Sequence, residues 1–433
     1  MSDTAIPAPV PTPVPPPPPR IAVLDFLRGF AVLGILAINI TGFWGPQLAS
    51  LSPSLPPGDA SGSAWFVVGF IVFDGKMRAL FTLLFGASMV LFAQSAERRG
   101  LPADRLQLRR LLWLAVIGYA HFALLWWGDI LFAYALCGML ALPLRRLPAS
   151  ALLAIALPVF VLAHAFAATA ALPAIATEAR VNAGQGDAAD QAQVHEVATR
   201  IAASLHEDGR VLHAGFGQAL AIRLGETPGF PLTATLNTFS ETFPLMLVGM
   251  ALLRSGALTG AWRRRTIAAT GSVALLAGLA ATLGLVAWGQ QAGWPPQLTF
   301  ALTTDFAALP RLAMALGYAA LLVLAWPYLS GTVIGRAMAA AGRTAFTNYL
   351  GTTLVMSALF CGWGLGLGWG GAHAVPRWTL PLFVPAGWAL MLAWPQAWLA
   401  RFRQGPLERG WRRLTFAGVS RTARSRPVAG DAG

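Results

Sequence analysis

Apolar positions along the chain gather into long blocks, each close to the length needed to cross a hydrocarbon core of about 30 Å. The blocks lie near residues 21–43, 62–96, 110–127, 129–143, 150–172, 231–254, 266–288, 311–329, 343–361 and 379–400. The pattern predicts an all-α fold, a polytopic helical membrane bundle of about ten transmembrane helices. The second block is too long for one span and is interrupted by "DGKMR", which predicts a broken or re-entrant helix followed by "ALFTLLFGASMVLFAQ".

Between the fifth and sixth blocks the pattern changes. Within 173–230, Val194, Val197, Ile201 and Leu205 recur every three to four residues and predict an amphipathic helix. His195, His206 and His213 fall nearly on one face of it, at separations of about 16 Å and 10 Å, too wide for one metal ion. No CxxC or comparable ligand spacing occurs, so no metal is expected, and Cys137 and Cys361 read as core residues. The proline run of the first residues predicts an extended, disordered tail, and the first apolar block is expected to direct insertion and remain in the chain. The organisation expected is a Pro-rich tail (1–20), an N-terminal transmembrane half (21–172), an extracytoplasmic segment (173–230), a C-terminal transmembrane half (231–400) and a basic cytoplasmic tail (401–433). No internal repeat supports a duplicated bundle.

Composition agrees with a membrane solvent: 56% of residues are hydrophobic and 11% charged, whereas soluble domains are about a quarter charged. A formal charge of +13 suggests polyanion binding, but only one lysine occurs and the arginines cluster between apolar blocks. Arg98, Arg99, Arg105, Arg109 and Arg110, then Arg145 and Arg146, Arg254 and Arg263 to Arg265, Arg336, and the tail from Arg401 all fall in alternate connections. The short connections 44–61, 128 and 289–310 carry no Arg or Lys. The positive-inside rule then places both termini in the cytoplasm of a multi-pass protein of the cell inner membrane. The partner implied is the lipid bilayer, with no nucleic acid; oligomeric state leaves no signal.

Three polar groupings interrupt the apolar blocks. In "LDFLRGFAVLGILAINI", Asp25 and Arg28 are spaced to pair on one helix face, and Asn39 lies within about 40° of Asp25 around the axis. A charge at membrane depth costs roughly 2.5–3.5 kcal/mol on insertion scales, so this stripe is expected to face the bundle interior. In "GYAHFALLWWGDILFAYALCG", His121 lies about two turns inward from Asp129. Asp129 reads equally as a cap of the following span and His121 as an interhelical hydrogen bond. The third grouping is Asp74, Lys76 and Arg78 in the interrupted block, with Glu241, Asp305, Arg311 and Asn348 elsewhere. Unwound backbone carrying charge at depth is characteristic of ligand or ion sites. Lys76 and Arg78 are therefore candidates for a phosphate or carboxylate contact, against an ion pair with Asp74.

"LDFLRGFAVLGILAIN", "GKMRALFTLLFGAS", "GYAHFALLWWGDILFAYALCG", "GRTAFTNYL" and "GPLERGWRRLTF" together resemble the bacterial YeiB-like membrane proteins, catalogued by a C-terminal domain of unknown function 418. The likeness runs from about 20 to 415. More distantly, D-x-x-R-G with a polar residue 14 positions after the Asp is similar to the first helix of transmembrane acyltransferases, over about 20 residues. Heparan-glucosaminide acetyltransferases place Asn at the position matching Asn39, and acyltransferase-3 proteins place His there. This resemblance implies transfer of an acyl group from cytoplasmic acyl-CoA, as co-substrate, to an envelope glycan or lipid acceptor. No other cofactor is implied. The acetyltransferases carry a catalytic His in the loop after the first helix, and "TGFWGPQLASLSPSLPPGDASGS" has none. His121 is then the imidazole left to act as general base, beside Asp129. Asn39 would donate to the developing oxyanion, and Lys76 and Arg78 would hold phosphates. Arg28 and Asp25 complete the expected binding set. The competing class is a transporter or flippase of a small envelope metabolite, in which Asp25, Arg28, Glu241 and the broken span form a path without covalent chemistry.

Overall fold

A computed structural model of the chain describes residues 21–57 and 63–418. The expected Pro-rich tail and the last residues of the basic tail lie outside the described residues. What is described is helical, with no strand among the described residues. Among the described residues, six units are long and apolar enough to cross a membrane: α1 (Ala22–Trp44), the broken pair α2 (Ser63–Val72) and α3 (Lys76–Glu97), α6 (Ala149–Asn182), α9 (Phe230–Arg254), α10 (Arg264–Ala292) and α12 (Ala308–Leu329). The other four blocks form helices that are shorter or less apolar: α4 (Ala103–Leu124), α5 (Leu131–Ala141), α14 (Ala345–Phe360) and α15 (Leu380–Arg401). Around them stand α7 (Ala188–His213), α8 (Phe216–Gly225), α11 (Pro296–Ala301), α13 (Val333–Arg343) and α16 (Pro406–Phe416).

Inside a bilayer, packing and small residues rather than water exclusion bring helices together. At the crossing of α1 and α13, a Cβ at Gly342 would stand 1.7 Å from the Asp25 carbonyl oxygen, and one at Gly29 would stand 1.9 Å from that of Met338. The crossing of α3 and α9 is as close: Gly86 faces the Met246 carbonyl and Gly249 that of Leu83. Leu24, Leu27, Leu80, Leu83, Leu245 and Met250 fill the core between these helices.

The interruption expected in the second block is a turn between α2 and α3. Gly75 makes it with φ of +67°, a conformation open to glycine, and a side chain there would collide with Arg311 of α12. Arg311 donates to the Asp74 carboxylate across the same turn.

α6 has 34 residues, about 51 Å at 1.5 Å per residue, and outruns the expected 150–172 span. Its far end is used. Glu178 accepts from the backbone N–H groups of Gln297 and Leu298 at the start of α11, at 3.0 and 3.1 Å. Arg180 meets Asp190 of α7 at 2.6 Å. The amphipathic pattern of 173–230 becomes α7, which buries Leu205, Gly209 and Leu212. These face the connections after α1 and α14: Asp208 accepts from the Gln47 N–H at 2.9 Å, and the Gly362 N–H donates to Leu212 at 2.7 Å. Under that roof, buried Arg377 donates to the carbonyls of Ala49, Ser52, Pro53 and Leu55.

The arginine-rich connections collect at the opposite end. Arg145 bridges Glu97 at 2.8 Å and Asp104 at 2.5 Å. Arg254 donates to the Arg145 carbonyl. The Trp411 indole N–H donates to the Arg110 carbonyl at 2.9 Å, which docks α16 on α4.

Candidate functional site

A cavity of about 750 Å³ enters the bundle from the arginine-rich end. Arg28, Arg98, Arg99, Arg110, Arg343 and Arg412 line it there, against the two carboxylates of Asp25 and Glu408. Asp25 pairs with Arg28 at 2.9 Å. Glu408 is tied to the start of α14, accepting from the N–H groups of Phe346 and Thr347 and from the Thr347 hydroxyl. Burial pushes its carboxyl above the ordinary range, and those hydrogen bonds pull the other way. Arg110 lies over the rings of Phe92 and Trp411, 5.0 and 4.4 Å from their centroids, which holds the guanidinium at the wall.

Deeper, the lining turns apolar and aromatic: Val32, Ile35, Phe81, Phe85, Leu114, Tyr134 and Tyr349. Ile21 and Ile35 both line the cavity, which places its extent along α1 at about 21 Å. The volume falls in the usual range of ligand pockets, about 300–1,000 Å³. A basic mouth leading to an apolar interior suits a ligand with an anionic head and an uncharged chain.

At the inner end stands the second sequence motif. α4 carries His121 and the turn before α5 carries Asp129, with Nδ1 and Oδ1 2.8 Å apart and side chains only 1% and 2% exposed. The other carboxylate oxygen of Asp129 accepts from the Phe132 N–H at 2.7 Å, in the first turn of α5. The two readings of Asp129, helix cap and histidine partner, therefore hold together. A carboxylate accepting from Nδ1–H leaves Nε2 as a lone-pair acceptor, and Nε2 is buried with no partner among the described residues. Asp–His pairs of this geometry orient a general base. The ring of Tyr349, which lines the cavity, lies 5.3 Å from that of His121, and its hydroxyl donates to Gly128 at 3.1 Å. His121 and Asp129 themselves do not line the cavity; Tyr349, Ile130 and Leu131 do.

Asn39 is half-buried one turn before Gly42, whose carbonyl accepts from the Trp126 indole at 2.9 Å. It makes no side-chain hydrogen bond among the described residues and does not line the cavity. Lys76 and Arg78 also lie outside it. Lys76 is fully buried, donates to the Phe70 carbonyl and sits 5.2 Å from the Phe70 ring centroid. Arg78 pairs with Glu241 of α9 at 2.5 Å, while Asp74 is taken by Arg311. The site residues thus separate: Asp25 and Arg28 at the mouth, His121 and Asp129 behind Tyr349, Lys76 and Arg78 in the charged turn, and Asn39 on α1 beyond Ile35, the last residue of that helix in the lining.

Of the mouth arginines, sequence reasoning names Arg28 as a binding residue but misses Arg98, Arg99 and Arg110, which it assigns to orientation alone. It also misses Tyr349. The available signal was in "GRTAFTNYL", where Arg343 and Tyr349 are six residues apart and both line the cavity.

Comparison with known proteins adds a lineage. A family model described as "Protein of unknown function (DUF418)" matches residues 252–418. Over 412 residues the chain is 32% identical to the "Uncharacterized protein YeiB" of Escherichia coli (strain K12), covering 94% of this chain and 100% of the relative. The "Uncharacterized protein YxaH" of Bacillus subtilis (strain 168) is 29% identical over 411 residues, covering 92% of this chain and 94% of that one. No solved structure matches.

Proposed function

This chain belongs to the YeiB-like family of membrane proteins, and we propose that it is an acyltransferase, moving an acyl group from acyl-CoA at its basic, cytoplasmic end to an envelope acceptor across the inner membrane. The observation that carries this reading is the cavity, whose arginine mouth suits the phosphates of a coenzyme A donor and whose apolar interior ends beside a buried His–Asp pair. Arginine is well suited to phosphate groups because its planar fork donates bidentate, charge-assisted bonds.

In this reading an acceptor hydroxyl attacks the thioester carbonyl while His121 Nε2 takes the hydroxyl proton. A carbon–oxygen bond forms, the carbon–sulfur bond breaks, and the imidazolium returns its proton to the departing thiolate. Asp129 holds the ring and stabilises its charged form. Asn39 supplies the hydrogen bond to the oxyanion. Displacement of Tyr349 joins the donor chamber to the base. Arg98 and Arg99, rather than Lys76 and Arg78, are the phosphate contacts.

The test is thermal stability of the purified protein with acetyl-CoA and longer acyl-CoAs, for wild type and for Arg98→Gln/Arg99→Gln. Both arginines are exposed, so the variant keeps its fold. A donor at a hundred times its Kd would stabilise the wild type by about 2.7 kcal/mol, and the variant would lose most of this. Absence of any shift with every acyl-CoA would overturn the reading.

A second reading is favoured by the charged turn, where Asp74, Arg311, Arg78 and Glu241 pair at membrane depth. Broken helices bearing charge are used by transporters to hold substrate or ions. Acyl-CoA consumption in proteoliposomes separates the two, because a transporter leaves the thioester intact.

A further inference from the structure

We propose that the shallow groove between α10 and α12 at the basic end is a binding site for an anionic phospholipid of the surrounding bilayer. The groove, of about 470 Å³, is lined by Arg264, Arg265, Ala268, Leu321, Leu324 and Tyr328 among others, and shares no lining residue with the acyl-donor cavity. Its head and floor differ in chemistry. Arg264 and Arg265 are exposed, and Arg264 donates to the Tyr328 hydroxyl at 3.0 Å while lying 5.3 Å from that ring's centroid. Tyr328 thereby fixes the guanidinium at the edge of the groove rather than leaving it to sweep through solvent.

Below this pair the surface is apolar and open. Leu321 is exposed in the groove, and Val273 and Leu276 continue an exposed apolar face along α10. Charge complementarity decides the occupant. Neither α10 nor α12 carries an acidic residue anywhere along its length, so two cations at the groove face no carboxylate from the helices that form it. Exposed arginines at the end of a membrane-crossing helix, above an apolar furrow, match a phosphate headgroup with acyl chains running down the furrow. A bare phosphate would use the arginines and leave the furrow without a role. Arg264 and Tyr328 both line the groove, and the hydroxyl and guanidinium hydrogens left over from their mutual bond remain available to a multidentate oxyanion.

Native mass spectrometry of the full-length protein in detergent tests this, titrating phosphatidylglycerol or cardiolipin against phosphatidylcholine. Wild type should retain anionic lipid preferentially. Arg264→Gln/Arg265→Gln should weaken that retention about thirtyfold, from the attraction of two surface arginines to anionic lipid, and Tyr328→Phe by a smaller factor. Arg401→Gln, an exposed arginine outside the groove, should leave it unchanged. Equal retention of anionic and zwitterionic lipid by the wild type, or unchanged selectivity in the double variant, would overturn the proposal. So would displacement of the lipid by millimolar inorganic phosphate, which would make the arginines a simple oxyanion site.

Discussion

Tyr349 and His121 are ring neighbours, 5.3 Å apart, and the tyrosine also lines the cavity that comes in from the arginine-rich end. Its hydroxyl is anchored to Gly128, the residue before the carboxylate that orients the imidazole. Tyr349→Phe keeps the ring and removes one neutral hydrogen bond, with an expected loss of about 1 kcal/mol. Tyr349→Ala removes the ring, with an expected loss of roughly 3–5 kcal/mol, and opens the dyad to the cavity. Unfolding midpoints measured in one detergent check the ranking; equal losses for the two variants would show that the ring does not pack as described.

The dyad is predicted to act as one unit. His121→Gln and Asp129→Asn should each lower acyl transfer by about 10² to 10⁴-fold, and the double variant should be little worse than His121→Gln. Labelled acyl transfer in proteoliposomes measures this, with melting temperature recorded alongside. A correctly folded His121→Gln protein with full turnover removes the catalytic assignment.

Glu241 and Arg78 should show strong coupling. Arg78→Ala leaves the more buried Glu241 carboxylate unpaired, and with Arg78 itself 36% exposed the expected destabilisation is roughly 1–3 kcal/mol. Arg78→Met with Glu241→Gln should recover much of that loss, because no lone charge remains. A double-mutant cycle on unfolding free energies gives the interaction directly; simple additivity would contradict the pairing.

At the crossing of α1 and α13, Gly342→Val places a side chain where the Asp25 carbonyl oxygen already stands 1.7 Å from the Cβ position. Backbone cannot yield locally, so the helices must separate. Loss of the monodisperse peak in size-exclusion chromatography is expected, whereas Gly351→Ala, at a position with open space on α14, should behave as wild type.

Asp208 gives a pH dependence. Partial burial raises its carboxyl above the ordinary aspartate range, and the Gln47 N–H only partly offsets this. The folded protein therefore holds a proton that the unfolded chain has released, so this contribution to stability is complete below the unfolded pKa of about 4 and fades as pH rises through the folded value. Asp208→Asn keeps an acceptor for Gln47 and should flatten the stability profile across that window. An unchanged profile would remove the carboxyl as its source.

Much of the bundle was legible because membrane helices declare themselves by composition and length. The break at "DGKMR" was legible for the same reason, and α7 by its apolar period. Two kinds of information were not. The partners of Asp74 and Arg78 lie 237 and 163 residues away, so local spacing could offer only each other. The cavity mouth draws on α1, α3, α4, the α13–α14 junction and α16, and no single stretch of sequence contains enough of it to be recognised. His121 and Asp129 were found together because only eight residues and one turn separate them.

Arg377 orders a segment made more than three hundred residues before it: its guanidinium holds four carbonyls between Ala49 and Leu55. During synthesis that loop leaves the ribosome early and its template leaves late. That loop therefore lacks its guanidinium partner while every helix from α2 to α14 is made. Closure of this end is a late event of biogenesis, and a chain truncated before Arg377 would lose the gathering of these carbonyls together with α15 and α16.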